Sequence, residues 1–477
     1  MLNRLQKYSK ELLLICTFLI FYGHSINLWG FFHDGYLYAA LGKNFPWDSW
    51  LIPSQSASQF HEFSHHPPLF FILEGVFFKL FGSSFAAARI FGSLWVLASA
   101  LITFHFIKKN YNSILASVSS ILLLTLPSLM KKSRFPNMDQ ALLFSYLTCL
   151  LIYFEAYRNR SSKTMALSGL FWGLSLLIKG LSGVLILPLV FIHQLMVRKS
   201  LRFLLEREIW VAFIVGGLVF SLWPISLFSI GRFDIFLSYL DFQLFSTAIS
   251  GRGETELNFF LYFFHLLKSA PHICFLTLLS VYLFVKGRIK EFREFYFFNL
   301  VCVVSYLLIL SCMKFKYSHY LIPIYPFLSI LAGFSVYSLV EKNLKRVTIS
   351  YVAILIISFV VLFPLGVTNK VKRDKEVYEI SKLFKSLERV PRNWVIVDNS
   401  YSYWAISGLS SYLYGANPYN LNSDEARKKA LSLSDTLFVT RGSLMSSELK
   451  KSYKPLMSVE SDLKFWVPKK SLKRKIE

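Results

Sequence analysis

Apolar runs long enough to cross a membrane recur along most of the chain, and this recurrence limits the fold more than any motif does. A helix needs about 20 apolar residues to cross the hydrocarbon core. Suitable runs lie at 11–30, 84–107, 112–130, 139–157, 164–179, 181–197, 209–230, 259–285, 296–312, 319–340 and 347–366. With 54% hydrophobic residues and a mean hydropathy of +0.46, the composition is far too apolar for a soluble globular protein. The expectation is an all-α polytopic membrane protein of about eleven helices. The first run has no small-residue cleavage site and reads as a retained span. The piece 68–82, after Pro67-Pro68, is marginal for a crossing and reads as an interfacial helix. Cys16, Cys149, Cys274, Cys302 and Cys312 fall in or at the ends of apolar runs with no CxxC pair, so they read as small buried hydrophobes.

A net charge of +24 would point to nucleic acid in a soluble protein. Here the bases gather between apolar runs, as "KKN" (108–110), "RNRSSK" (158–163), "RKSLRF" (198–203), "KGRIKEFR" (286–293) and "EKNLKR" (341–346). That pattern orients spans against an anionic leaflet and excludes nucleic acid as the partner. If 164–179 and 181–197 are two spans broken at Lys179-Gly180, all five stretches share the N-terminal side. If they are one, the last three move to the opposite side. The broken arrangement is therefore expected, with a cytoplasmic N-terminus in a bacterial-type inner (plasma) membrane and an external C-terminal tail.

The same parity places 31–83, 131–138, the Lys179-Gly180 turn, 231–258 and 313–318 on the external face. These segments, with the span ends beside them, hold Asp34, His65, His66, Arg134, Asp139, Lys179, Arg252, Lys316 and Tyr320, and ionisable groups at membrane depth mark function. Each also has a plainer reading. Asp34 is a general base for an acceptor hydroxyl or amine, or the N-cap of a helix over 35–44. Asp139 orients the acceptor or holds a cation, or caps the span that starts there. Adjacent His65 and His66 lack the i,i+4 spacing of a metal pair and suit hydrogen bonding to a sugar or phosphate. Lys179 and Lys316 neutralise a lipid phosphate or snorkel to headgroups. No metal site is assigned, although a divalent cation is not required to be absent.

In order, Asp34 and Tyr38, "HHPPL" (65–69), Arg89, Asp139, "KG" (179–180) and "KYSHYLIP" (316–323) resemble the GT-C glycosyltransferases. The nearest branches are the lipid A aminoarabinose transferases and the protein O-mannosyltransferases. The resemblance implies a polyprenyl-phosphate-linked sugar donor and transfer outside the cytoplasm to lipid A, protein or a surface glycan. It implies Asp34 and Asp139 as catalytic groups. Tyr38, His65, His66, Arg89, Lys179, Arg252, Lys316 and Tyr320 would bind substrate. The family usually has Glu directly after its first-loop acid, where this chain has Gly35. His66 fits the mannosyltransferase pattern His-Pro-Pro. One placed base and no evident nucleophile at the sugar's C1 point to single displacement with inversion.

The remainder divides the chain into a transmembrane catalytic domain (1–368) and a small extracytoplasmic α/β domain (369–477). In the latter, "NWVIVDN" (393–399), "DTLFVTR" (435–441) and "LKFWVP" (463–468) read as strands and "DEARKKALSL" (424–433) as a helix. A polytopic transporter or channel is the alternative. It would explain the spans, but no internal repeat is visible and the polar residues sit at one face rather than at mid-span.

Overall fold

The computed structural model describes residues 9–23, 26, 30–31, 33–49, 51–243, 258–314, 316–340, 390–397, 401–420, 432–433, 435–441, 453–458 and 463–468, with 349, 352–353, 356 and 451 as isolated positions. Most of the expected last span, 347–366, and of the expected helix 424–433 lies outside them.

Among the described residues six helices are long and apolar enough to cross a membrane, or seven if Leu261–Ser269 and Pro271–Val285, bent by 109°, form one. The chain is an integral membrane protein. The longest helical unit, Ser162–Arg198, folds back on itself. Lys179 pairs with Asp139 at the start of helix Met138–Asn159, whereas Arg198 stacks over Tyr157 near its end. The return is made in the 3-10 turn Gly180–Leu185, where Trp172 Nε1 donates to Gly183 O. The break expected at Lys179-Gly180 is therefore present. The run 112–130 is divided instead of continuous, into Ser113–Leu124 and Pro127–Lys132, because Pro127 cannot donate a helical hydrogen bond and starts a new first turn.

The helices separate two polar ends. At one, Lys10 donates to Ser113 Oγ (2.6 Å), Lys109 pairs with Glu155 (2.9 Å), and Arg198 pairs with Glu206 (3.3 Å). Three of the basic stretches, 108–110, 158–163 and 198–203, meet there. At the other end lie segments 31–83, 131–139, 179–180, 231–243 and 316–320. Arg232 holds Glu62 in a two-point pair at 2.7 Å. Ser64 Oγ lies 3.0 Å from Ser238 Oγ, and Trp223 Nε1 donates to Leu51 O at 3.1 Å.

The tail joins this second end. A five-stranded sheet runs β2-β1-β3-β5-β4, from Asn393–Val397 (β1), Asn417–Asn420 (β2), Thr436–Arg441 (β3), Tyr453–Ser458 (β4) and Leu463–Pro468 (β5). The three expected strands are present; β2 and β4 are additional. So is a helix at Tyr401–Tyr414. Alternation in "NWVIV" turns Trp394 and Ile396 to one face and Val395 to the other. The first face forms a core with Tyr412, Leu409 and Ile406, and with Tyr36, Ala39 and Ala40 of helix His33–Lys43. Polar contacts fix the docking. Lys43 Nζ donates to Tyr412 O, Tyr412 Oη to Ser84 O (2.7 Å), and Ser58 Oγ to Pro418 O (2.7 Å). A sheet with open edges cannot sit in lipid, so this end projects from the bilayer. There, burying a side chain such as Ile396 contributes about 1.5–3 kcal/mol.

The expected interfacial helix is present as Leu69–Phe81 and packs beneath helix His33–Lys43. It carries a fully buried acid, Glu74, whose two carboxyl oxygens have no hydrogen-bond partner among the described residues.

Candidate active site

Asp34 stands in the first turn of helix His33–Lys43 and is exposed. The helix begins before Asp34, so the alternative reading of this residue as the N-cap does not hold. The next residue, Gly35, is buried with no room for a side chain: a Cβ there would lie 2.8 Å from Phe135 Cβ and 3.0 Å from Phe31 Cβ. Segment 131–137 thus presses directly on the helix backbone at the position where the family pattern has Glu.

Asp139 is also not a cap. Asn137 caps helix Met138–Asn159 by accepting from the Asp139 amide at 3.0 Å. Freed from that task, the buried Asp139 carboxylate pairs with the largely buried Lys179 Nζ, at 4% and 11% exposure. A buried pair of this kind is stable only as a pair, since either ion alone carries an uncompensated desolvation cost. The Lys179 ammonium also lies 5.7 Å from the centre of the Tyr320 ring, in cation–π range.

Gly180 makes the turn after Lys179. Its backbone (φ 58°, ψ −127°) lies outside the region open to an L residue. A Cβ would fall 1.9 Å from Tyr239 Oη, so the Lys-Gly dipeptide is fixed by helix Phe233–Leu240 as well as by its own geometry.

Around the ion pair, the Tyr320 ring is held in a cluster of aromatic groups. Tyr306 Oη donates to Tyr320 O at 2.9 Å, and the His319 and Tyr317 rings lie 4.5 and 5.6 Å from the Tyr320 ring. Tyr38, one turn after Asp34, feels Asp34, Asp139 and Tyr320 together. Burial first, then the two carboxylates, push its phenol well above the ordinary value. Tyr38 meets the His66 ring edge-on at 6.3 Å. His65 stacks on Phe242 at 3.7 Å, and Gln243 Nε2 donates to His65 O at 2.7 Å. Lys316 Nζ donates to Met313 O at 2.7 Å within its own turn.

Two predicted residues stand differently. Arg89, buried at the start of helix Phe85–Asn110, donates to Ile26 O (3.2 Å) and to Gly30 O, and its guanidinium lies over Phe31. It shares a small crevice with Arg134. Arg252 lies outside the described residues. Lys132, which sequence reasoning did not single out, lies in the field of Asp139, Asp34 and Lys179, and burial lowers its ammonium against the pull of the two acids. His319 is a further addition, in the field of the Asp139–Lys179 pair. Both stand inside segments already marked as polar, "MKKSRF" and "KYSHY", where the sequence does not say which side chain turns inward. Among the described residues no three His, Cys, Asp or Glu side chains group as a metal site.

The arrangement presents an exposed carboxylate beside a neutralised one, with surplus cations and aromatic faces. Such a site can accept a proton while stabilising an anionic leaving group.

Fold and site together define a polytopic membrane protein with acidic and basic side chains gathered at one end of its helices. Residues 65–225 match the family model of dolichyl-phosphate-mannose-protein mannosyltransferases. The structure is similar to ArnT from Cupriavidus metallidurans in the apo state, with a TM-score of 0.72 over 98% of both chains at 13% identity. It is similar to the same protein bound to undecaprenyl phosphate, with a TM-score of 0.69 over 96% of this chain and 98% of that one at 14% identity. The Archaeoglobus fulgidus oligosaccharyltransferase in complex with Zn and sulfate matches with a TM-score of 0.56, over 90% of this chain and 67% of that one, at 13% identity. No curated protein sequence matches significantly. The resemblance to the GT-C glycosyltransferases stated from the motifs is thus borne out in the family model and in the fold.

Proposed function

We propose that the protein is a membrane glycosyltransferase that moves a sugar from a polyprenyl-phosphate donor to an extracytoplasmic acceptor hydroxyl or amine on a lipid, protein or glycan. One observation carries this reading: an exposed Asp34 on a rigidly packed helix shares one field with the buried Asp139–Lys179 pair and Lys132. The fold likeness to ArnT and the mannosyltransferase family model support the donor class.

In this reading the acceptor oxygen or nitrogen attacks the sugar's C1 as the bond from C1 to the phosphate oxygen breaks. The acceptor proton passes to the Asp34 carboxylate, and polyprenyl phosphate departs as an anion with inversion at C1. The leaving phosphate needs positive charge rather than a proton. Lys132, Lys316 and Arg252 supply it, and Lys179 is occupied in holding Asp139. Asp139, tied by Lys179, positions the acceptor, while Tyr38, His65 and His66 face the sugar, and Arg89 and Tyr320 hold the walls. The active face and the tail are extracytoplasmic and the N-terminus is cytoplasmic, in a bacterial-type inner membrane. Residues 1–368 form the catalytic domain and 369–477 an accessory one.

The test is to incubate purified protein with a radiolabelled polyprenyl-phosphate sugar and membrane extract, and to measure free polyprenyl phosphate. Release that depends on Asp34 supports the reading; absence of release with every donor sugar tried in total extract overturns it.

A further inference from the structure

A second polar cavity lies at the end of the helices opposite the candidate active site, and the proposed transfer makes no use of it. It measures about 260 Å³, below the usual range for whole small-molecule ligands of about 300–1,000 Å³, so it fits a head group better than a complete lipid. Tyr157, Arg160, Gln194, Arg198, Glu206 and Glu208 line it. They come from the ends of helices Met138–Asn159, Ile186–Arg198 and Arg207–Ser229 and from the turns between them.

Its polar groups are built in rather than loosely solvated. Gln194 is 1% exposed, and its Oε1 and the Arg198 Nε are buried without a hydrogen-bond partner among the described residues. Buried polar atoms normally find partners, and leaving one unmade costs about 1–3 kcal/mol. An unfilled donor and an unfilled acceptor in one cavity therefore call for a ligand that both accepts and donates. The charges say the same: Arg160 and Arg198 are matched by Glu206 and Glu208. Glu206 already pairs with Arg198 at 3.3 Å, and Glu208 accepts from Ser162 Oγ at 3.2 Å.

Beside the cavity the surface is apolar and open. The 3-10 segment Leu201–Leu205 exposes Leu201, Leu204 and Leu205, and Trp210, whose Nε1 donates to Leu204 O at 2.8 Å, is half exposed next to them. A tryptophan beside basic residues at a span end is the usual signature of the interface.

We propose that this cavity is a binding site for the head group of an amine-bearing zwitterionic phospholipid of the phosphatidylethanolamine class. The phosphate sits against Arg198 and Arg160, the ammonium donates to Glu206, Glu208 and Gln194 Oε1, and the acyl chains lie over Leu204, Leu205 and Trp210. The site differs from the donor site in place and in charge: it is balanced, whereas the candidate active site has excess cations.

The test uses the delipidated full-length protein in detergent, titrated with dihexanoyl phosphatidylethanolamine and followed by native mass spectrometry. Phosphatidylcholine and phosphatidylglycerol with the same chains serve as comparisons. One phosphatidylethanolamine is expected per protein. Phosphatidylcholine should bind at least 10-fold more weakly, because its quaternary ammonium has no N–H to donate, and R198Q and Q194L should each weaken phosphatidylethanolamine about 10-fold or more, the worth of one charge-assisted hydrogen bond. If R198Q lowers the melting temperature, the exposed change R160A and the half-buried change E208Q decide the matter by the same criterion. Binding of phosphatidylglycerol as tight as that of phosphatidylethanolamine would overturn the zwitterionic assignment in favour of a plain anion site. Equal binding of all three lipids, unchanged in every variant, would mean adsorption to the apolar belt and overturn the site itself.

Discussion

Lys179 and Asp139, the last residue of one helix and a first-turn residue of the helix before it, meet at the open end of a helical hairpin and form a largely buried ion pair. The pair ties the Lys-Gly turn to the start of the preceding span, at the floor of the candidate site. Neither partner can be lost quietly. Lys179→Met leaves the carboxylate buried and uncompensated, at a cost of about 3–5 kcal/mol. The double change Lys179→Met/Asp139→Asn removes both charges and should recover most of the loss. Thermal unfolding of the two variants checks this; equal midpoints for Lys179→Met and wild type would show that the pair contributes nothing.

Asp34→Asn keeps size and hydrogen bonding but cannot take up the acceptor proton. Turnover should fall about 10²–10⁴-fold, the usual worth of a placed base, with donor affinity nearly unchanged. Asp139→Asn should act more through acceptor binding. Near-normal turnover in Asp34→Asn, with none in Asp139→Asn, would exchange the two roles.

At the turn, Gly180→Ala should destabilise by more than the roughly 1–2 kcal/mol that a left-handed backbone costs an L residue, because its Cβ would also strike Tyr239 Oη. Tyr239→Phe removes the struck atom. Melting curves of Gly180→Ala with and without Tyr239→Phe separate the two contributions. No rescue at all would assign the cost to the backbone together with the contact to Tyr239 Cζ, 2.9 Å from the added Cβ.

Glu74 offers a pH signature. Burial raises its carboxyl well above the ordinary 4.5, so the folded protein holds the proton while the unfolded chain releases it above that value. By linkage, this contribution to stability is complete below about pH 4.5 and declines as pH rises toward the folded value. Glu74→Gln should be more stable than wild type at pH 8 and about equal at pH 4.5. A difference independent of pH would argue against a neutral buried acid.

The two polar ends can be told apart in cells. In a cysteine-free background, Asp48→Cys at the candidate-site end should react with a membrane-impermeant thiol reagent in intact cells, and Lys163→Cys should react only after lysis. The reverse pattern would invert the proposed orientation.

Parity and charge made the two-ended layout legible, because positive stretches and polar loops repeat with the spans. The Asp139–Lys179 pair was legible in principle too. Both lie roughly 20 residues from the left-handed turn at Arg160, so an antiparallel hairpin brings them level at a 1.5 Å rise per residue. What stayed hidden depends on distant partners. Helix Tyr401–Tyr414, "YSYWAISGLSSYLY", has no charge and many Ser and Tyr residues, and its core is completed by Tyr36, Ala39 and Ala40. Strands β2 and β4 contain Pro418 and Pro455, which weaken a strand reading. Lys132 and His319 were hidden for a simpler reason: runs of adjacent polar residues do not reveal which one the fold turns inward.

The docking of the tail on the Asp34 helix has a consequence for biogenesis. Lys43 meets the carbonyl of Tyr412, 369 positions further on, so the docked state of helix His33–Lys43 waits for a segment synthesised much later. Spans can enter the membrane one after another as they leave the ribosome. Helix Leu69–Phe81 and Phe135 cover part of the Asp34 helix, but the core around Tyr36, Ala39 and Ala40 is completed only when the C-terminal sheet has folded. Completion of the candidate site is therefore a late step that joins segments far apart in the chain, and a nascent chain arrested before residue 390 should be inserted yet lack the proposed activity.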